Sequence, residues 1–168
     1  MSNTLRIIGI CELPLTQGKV ALVDKKDFIV INKWKWFYSK GYAARSQYIS
    51  LGKYKYTTKV IFLHRVILNT PKGLFTDHIN GNKLDNRRQN LRIVTKSQNG
   101  QNKKKTNIVT SSKFKGVTWF KRDRIWRAGI KVNKKFYHIG YFKNERHAAM
   151  AYDMWAKDLF GKFAKFNF

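Results

Sequence analysis

At 168 residues the chain has room for one domain or two small ones, each with a modest core, and its 35 Lys and Arg against 9 Asp and Glu leave a net charge of +26. So large a positive charge opposes compaction unless a polyanion neutralises it, and nucleic acid is the expected partner. No stretch reaches the ~20 apolar residues of a spanning helix and no secretory leader pattern is present, so a membrane partner is excluded and a cytoplasmic protein is expected. The single cysteine, Cys11, leaves no intrachain disulfide and no multi-cysteine zinc site, so no structural zinc is expected.

Taken in order, the text from Val20 to Gln47 is rich in β-branched and aromatic residues and reads as a set of short strands. Within it Trp34 and Trp36 alternate with Lys33 and Lys35, which places the tryptophans on one face, as core. A hairpin-like pair follows, Gln47 to Leu51 and Tyr54 to Thr58, flanked by Lys53, Lys55 and Lys59. Val60 to Leu68 is apolar on nearly every side and reads as a buried helix that ends before Pro71. His64 on this element has two readings: a structural histidine beside Arg65, or a second histidine at a phosphate.

The stretch FTDHINGNKLDNRRQNLRIVTKSQNGQN, Phe75 to Asn102, carries the chemistry. Asp77 and Asp85 are the only carboxylates between Phe28 and Arg122. Asp77 places a hard oxygen ligand next to His78, whose ordinary pKa lies near neutrality. Neighbours on a strand point to opposite faces, so the pair needs an irregular strand end to converge, and Asn80-Gly81-Asn82 supplies a turn just downstream. Asn90 to Thr95 alternates as a second strand, and a helix capped by Thr95 or Ser97 would carry Asn99 in its first turn. The pattern is strand, loop, strand, helix, with Asp77, His78, Asn90 and Asn99 as candidates to meet. The plainer alternative is a solvated turn with unrelated cap residues.

At these residues the chain resembles the HNH endonucleases, also called ββα-metal or His-Me finger nucleases, and most closely the phage and homing branch, where Asn replaces the last His. The resemblance implies that His78 is the general base and that Asn90 orients its ring. It further implies that Asp77 and Asn99 hold one divalent cation, Mg²⁺ or Mn²⁺. Arg87 and Arg88 are expected at the loop and on phosphates.

Polar, cationic text around Gly100 to Asn107 and Thr110 to Ser112 marks a boundary: residues 1–104 as nuclease module, 105–112 as linker, 113–168 as a second module. In that module Gly116 to Lys121, Ile125 to Lys131 and Lys135 to Tyr141 read as three strands, followed by a helix capped by Asn144 and closed by Gly161. Lys115-Gly116-Val117, Trp126-Arg127-Ala128, Ile139-Gly140-Tyr141-Phe142 and Ala148-Ala149 with Ala151-Tyr152-Asp153 resemble the ethylene-response-factor (APETALA-type) DNA-binding domain. That family lays an exposed sheet face in the major groove. Parity puts Val117, Trp119, Trp126, Ala128, Ile130, Tyr137 and Ile139 toward the helix. Thr118, Arg127, Lys131 and His138, with Lys115 and Arg122 nearby, then fall toward DNA. The plant pattern tends to place Arg at 118 and 120, so base preference does not carry over.

The fold class expected is α+β. The function expected is metal-dependent hydrolysis of double-stranded DNA by a homing or free-standing phage enzyme. With one site per chain, a monomer nicks and a dimer would be needed for a double-strand break. The alternative is a catalytically inactive DNA-binding regulator on the same modules.

Overall fold

Alternating apolar and polar residues set the first two strands against each other. β1 (Ile10–Pro14) and β2 (Val20–Asp24) pair antiparallel, and the register Leu13↔Ala21 and Cys11↔Val23 gives them a common inner face. The computed structural model describes residues 9–103, 105 and 111–168, and the chain divides into two units, Met1–Thr95 and Lys96–Phe168.

After β2 the chain departs from the expected strands. Lys25–Ile31 forms a helix, α1, with Asp27 in its first turn. A short apolar run such as Phe28-Ile29-Val30-Ile31 does not distinguish strand from helix by periodicity. Here the tertiary setting decides: Ile31 is buried and Phe28 packs on the same core, while Arg88 clamps the Asp27 carboxylate through Nε and Nη2 at 2.8 Å. Trp34 and Trp36 lie in the connection after α1, not on a strand, yet both are core residues as parity implied. Trp36 is buried with its indole N–H donated to the Ile31 carbonyl at 2.9 Å, and Trp34 meets it edge to face.

A three-stranded antiparallel sheet follows, in order β3 (Phe37–Ser39), β4 (Tyr42–Ser50), β5 (Tyr56–Phe62). The expected hairpin is present in β4 and β5. The expected helix at 60–68 is half strand: Val60 to Phe62 continue β5 opposite Ala44 to Ser46, and only Leu63–Leu68 is helical, as α2. The helix stops at Asn69, which takes the left-handed conformation at φ 46° ahead of Pro71. Leu63 and Ile67 face the core with Leu13, Val23 and Leu91, each such burial contributing about 1.5–3 kcal/mol. The unit closes with a two-stranded hairpin, β6 (Phe75–His78) against β7 (Leu91–Val94).

The second unit begins with a short helix, α3 (Lys96–Gln101). It continues with an antiparallel sheet of order β10-β9-β8, formed by β8 (Val117–Phe120), β9 (Ile125–Val132) and β10 (Lys135–Phe142), and with α4 (Glu145–Phe160). Asn133 and Lys134 both take positive φ, at 49° and 69°, as a two-residue hairpin turn requires. The Asn144 side chain accepts from the Arg146 and His147 N–H groups at the start of α4. Val117, Ala128 and Ile130 face α4, where Ala148, Ala149 and Ala156 allow close approach. The parity differs at the end of β10: a bulge between His138 and Gly140 resets the register, so Phe142 rather than Tyr141 joins the inner face, and Tyr137 is left half-exposed.

Gly116 sits where no other residue fits. Its φ is +76°, and a Cβ there would lie 2.0 Å from the Tyr152 ring and 2.8 Å from the Gly129 carbonyl oxygen. Gly116→Ala is expected to destabilise the second unit by about 2–4 kcal/mol, read as a lowered denaturant midpoint with an unchanged slope.

Candidate active site and nucleic-acid interface

The register of the β6–β7 hairpin places Asp77 opposite Arg92 and His78 opposite Leu91. Asp77 and Arg92 form a cross-strand ion pair, in which Oδ2 of Asp77 accepts from Nε at 2.9 Å and from Nη2 at 2.8 Å. His78 is the last residue of β6, and there the chain turns, with the Gly81 N–H donating to the His78 carbonyl at 2.9 Å. Both Asp77 and His78 are buried, at 7% and 5% exposure, although one is ionic and the other titratable. Groups of that kind are rarely enclosed without a structural or chemical role.

The loop from Ile79 to Asn90 is braced from within. The Asn90 amide oxygen accepts from the Asn80 N–H at 2.9 Å, and its NH₂ donates to the Asp85 carbonyl at 2.8 Å. Asn80 in turn donates its side-chain NH₂ to Oδ2 of Asp85, which also receives Arg87 in a two-pronged pair at 2.7 Å. The loop is then laid on β2: the Leu22 N–H donates to the Leu84 carbonyl and the Asn86 N–H to the Leu22 carbonyl, both at 2.8 Å. Asn90 therefore shapes the loop, and the amide beside the His78 ring is that of Asn86, with Oδ1 3.4 Å from Nε2. Asn86 has no exposure at all.

Burial is the main influence on His78 and lowers its pKa, against the opposing pull of the Asn86 hydrogen bond and of Asp77 and Asp85. Burial thus favours the neutral imidazole, the form that can accept a proton. Against it, edge to face, lies the ring of His64, with centroids 5.1 Å apart. Tyr42 lines the same cluster, 5.3 Å from His64 and 6.1 Å from His78, with the Lys83 ammonium over its ring. Asp77 and His78 lie buried in succession at the end of β6, and Asn90 braces the loop that follows them. Asn99 lies on α3, in the second unit, so its membership rests on the sequence motif.

In the second unit, the register sets Thr118 opposite Arg127, Gly129 opposite His138, and Lys131 opposite Phe136, so these six share the sheet face away from α4. Gly129 leaves room for the Phe136 ring, over which the Arg127 guanidinium stands 5.6 Å from the centroid. Of the other cations expected at DNA, Arg122 is exposed and pairs with its neighbour Asp123. Lys115 instead sends its ammonium to the Gln101 and Lys103 carbonyls at 2.6 and 3.0 Å. Arg87 and Arg88 are likewise taken up, by Asp85 and Asp27. An open groove of about 970 Å³ within this unit is lined by Lys96, Lys115, Lys131 and Lys134 with Phe136 and Tyr152, and by no carboxylate. It suits a polyanion and contains no acid–base pair.

Residues 62–101, from the end of β5 through α3, match the HNH endonuclease family model. The chain is 33% identical over 158 residues to an HNH endonuclease of Acanthamoeba polyphaga mimivirus described as uncharacterized, covering 90% of this chain and 76% of that protein. The chain belongs to the HNH endonuclease family. It is also 32% identical over 97 residues to protein 3.8 of Escherichia phage T7, covering 58% of this chain and 78% of that one. An SPbeta-prophage protein of Bacillus subtilis (strain 168), carrying the name HNH homing endonuclease, is 45% identical over 47 residues, 25% of this chain and 27% of that one.

An HNH endonuclease is a hydrolase of DNA phosphodiesters, and the matched segment contains the His64, Asp77, His78, Asn86 and Asn90 arrangement. Of these, sequence reasoning passed over Asn86. The stretch from Asn80 to Asn90 holds four asparagines, and no spacing rule says which of them a loop will fold back on the histidine.

His64 makes the fold itself sensitive to acid. Burial first, then the proximity of His78 and Arg65, lowers its pKa from 6.5 to about 3. Between those values the unfolded chain binds a proton that the folded chain refuses, so this contribution to stability is complete above pH 6.5 and is lost as pH falls toward 3. Urea titrations are expected to show His64→Phe losing stability less steeply than the unsubstituted chain over that range, the difference approaching roughly 1.4 kcal/mol per pH unit. Parallel pH profiles for the two proteins would refute the assignment.

Proposed function

We propose that the chain is a metal-dependent DNA endonuclease of the homing or free-standing phage type, whose working residues are those of the HNH motif, His78 and Asn90 with Asp77 and Asn99 for the metal. The observation that carries this reading is the buried His78 at the end of β6, next in sequence to the buried Asp77 carboxylate, with burial lowering the imidazole pKa. In its neutral form His78 accepts the proton of the attacking water as general base. Asn90 keeps the loop closed around the ring through Asn80 and Asp85, and Asn86 holds the ring at Nε2.

HNH endonucleases act with a divalent metal ion. The motif assigns one carboxylate, Asp77, and the amide oxygen of Asn99 to that ion, and among the described residues no three His, Cys, Asp or Glu converge on a point. Such a set fits a hard ion that keeps waters and takes its remaining ligands from phosphate, Mg²⁺ or Mn²⁺. Asp77 and Asn99 would hold the ion, which would supply charge stabilisation at the scissile phosphate and its leaving oxygen. Because Arg92 occupies Oδ2 of Asp77, the guanidinium and the ion compete for that carboxylate.

The substrate is double-stranded DNA, and each unit offers a surface to it. The second unit contributes the sheet face bearing Thr118, Arg127, Lys131 and His138 with Arg122 beside it, in the manner of an ethylene-response-factor domain, and Lys115 anchors α3 behind it. The first unit contributes the β4–β5 hairpin, where Tyr48, Tyr54 and Tyr56 are exposed at 78%, 85% and 67%. Lys53, Lys55 and Lys59 surround them, and no acid occurs between Phe28 and Asp77. Arg87 and Arg88 shape the loop beside the phosphate path through their carboxylate partners. One site per chain nicks as a monomer, and a dimer cuts both strands. The setting is the cytoplasm of the cell that holds the DNA.

The nuclease is tested on supercoiled plasmid carrying DNA from the protein's source. Mg²⁺ or Mn²⁺ is expected to support conversion to nicked circles, chelator to abolish it, and His78→Ala to lower it at least 10²-fold while binding persists. Tight binding with no cutting in either metal would favour the inactive regulator. Interface charge is tested separately: Lys53→Gln with Lys55→Gln should reduce the slope of log affinity against log salt by about 2 and leave cutting at saturating DNA unaltered. An unchanged slope would remove the hairpin from the interface.

A further inference from the structure

We propose that His64 is a positioning residue of the nuclease site, whose flat ring fixes the plane of the His78 imidazole. This rests on the assignment of His78 as general base. His64 lies outside the strand–loop–strand segment that carries the motif, on α2, and the reaction as described gives it nothing to do. The structure nevertheless gives its ring three aromatic neighbours. It stacks on Phe62 at 5.5 Å with planes 8° apart, leans on Tyr42 at 5.3 Å, and meets His78 edge to face at 5.1 Å and 82°. A ring held on two sides is a fixed surface, and an edge-to-face contact has a preferred angle as well as a preferred distance.

The element that carries His64 is itself tied to the strand that carries His78. Arg65, the next residue, donates to the carbonyls of Thr70, Pro71 and Leu74 at 3.0, 3.1 and 2.8 Å, and Leu74 immediately precedes β6. α2 and β6 therefore move together, and the distance between the two histidines is set by hydrogen bonds outside the site. Neutrality matters to this role, because a charged ring at this distance from His78 would repel the imidazolium formed when His78 takes a proton. His64 is 7% exposed and its Nδ1 has no hydrogen-bond partner among the described residues, so packing, rather than polar bonding, is what its ring supplies.

A base that swings away from its attack line loses rate without losing substrate, since misplacement of about 1 Å costs on the order of 10²-fold. In the full chain with Mg²⁺ or Mn²⁺ and saturable plasmid substrate, His64→Leu, which fills the space without a planar face, is expected to lower kcat about 10–100-fold with KM within twofold. His64→Phe, which restores the plane but no nitrogen, is expected to return kcat to within about threefold of the unsubstituted chain. If Phe is as impaired as Leu, or if KM rises while kcat holds, His64 acts through its nitrogen on the phosphate and the positioning role is wrong. A readout independent of cutting separates this from the nuclease assignment: the side-chain NMR signals of His78 should be single and sharp in the unsubstituted chain and in His64→Phe, and broadened in His64→Leu. Unchanged His78 signals in His64→Leu would overturn the proposal even if no cutting were seen.

Discussion

The first unit depends on one buried brace, the pair formed by Asn90 and Asp85 across the loop that follows β6. Without it, twelve residues of polar, glycine-containing chain would have no reason to fold over a histidine. The brace works because each partner is satisfied more than once. Asn90 uses both ends of its amide, and Asp85 receives Arg87 and Asn80 while its carbonyl accepts from Asn90. Leaving any of these groups buried and unpaired would cost about 1–3 kcal/mol, so the loop closes as a set or not at all. The N-terminal hairpin completes it by pairing Leu22 with the loop backbone on either side of Asp85. A strand far away in sequence thus stands behind Asn86 and, through it, behind the His78 ring.

The same logic explains how so basic a chain uses its few acids. Of the nine carboxylates, six are hydrogen-bonded to named partners: Asp24 to the Arg88 N–H, Asp27 to Arg88, Asp77 to Arg92, Asp85 to Arg87, Asp123 to Arg122, and Asp153 to the backbone of Asn167 and Phe168. Each removes a cation or an N–H group from the set available to phosphate and uses it to fix a loop or a tail. The β4–β5 hairpin carries Lys53, Lys55 and Lys59 with no acid between Phe28 and Asp77, and the outer sheet face of the second unit carries Arg127 and Lys131. The few acids therefore sit where the chain must be shaped, and the large positive excess they leave suits a polyanion.

Much of this was legible in the sequence, and the exceptions share a cause. The β6–β7 hairpin and the three-stranded sheet with its helix follow from alternation and turn residues, whereas the Arg92 partner of Asp77 does not follow from the motif. Lys25–Ile31 was misread as strand because β-branched residues favour strands only when no long-range partner intervenes, and Arg88, 61 positions away, intervenes. Val60 to Phe62 continue β5 rather than start the helix, because a short apolar run shows no period and the pairing with Ala44 to Ser46 decides its form. The bulge at Ile139 inverts the parity of the last residues of β10, and a single inserted residue leaves no mark on composition.

The site shows where such reading stops in principle. A motif gives the order of functional residues along the chain; it does not give the groups that hold them, because those come from elements with no fixed spacing to the motif. Asn86 reaches His78 from within the loop, His64 from α2, and Tyr42 from the start of β4, at sequence distances of 8, 14 and 36 residues. All three are ordinary loop or core residues by composition. They become parts of a site only because the Arg65 anchor and the Leu22 bridge bring α2 and the loop to the same imidazole. In this chain the histidine of the motif is written in the local sequence, and its orientation is written in contacts that only the folded chain makes.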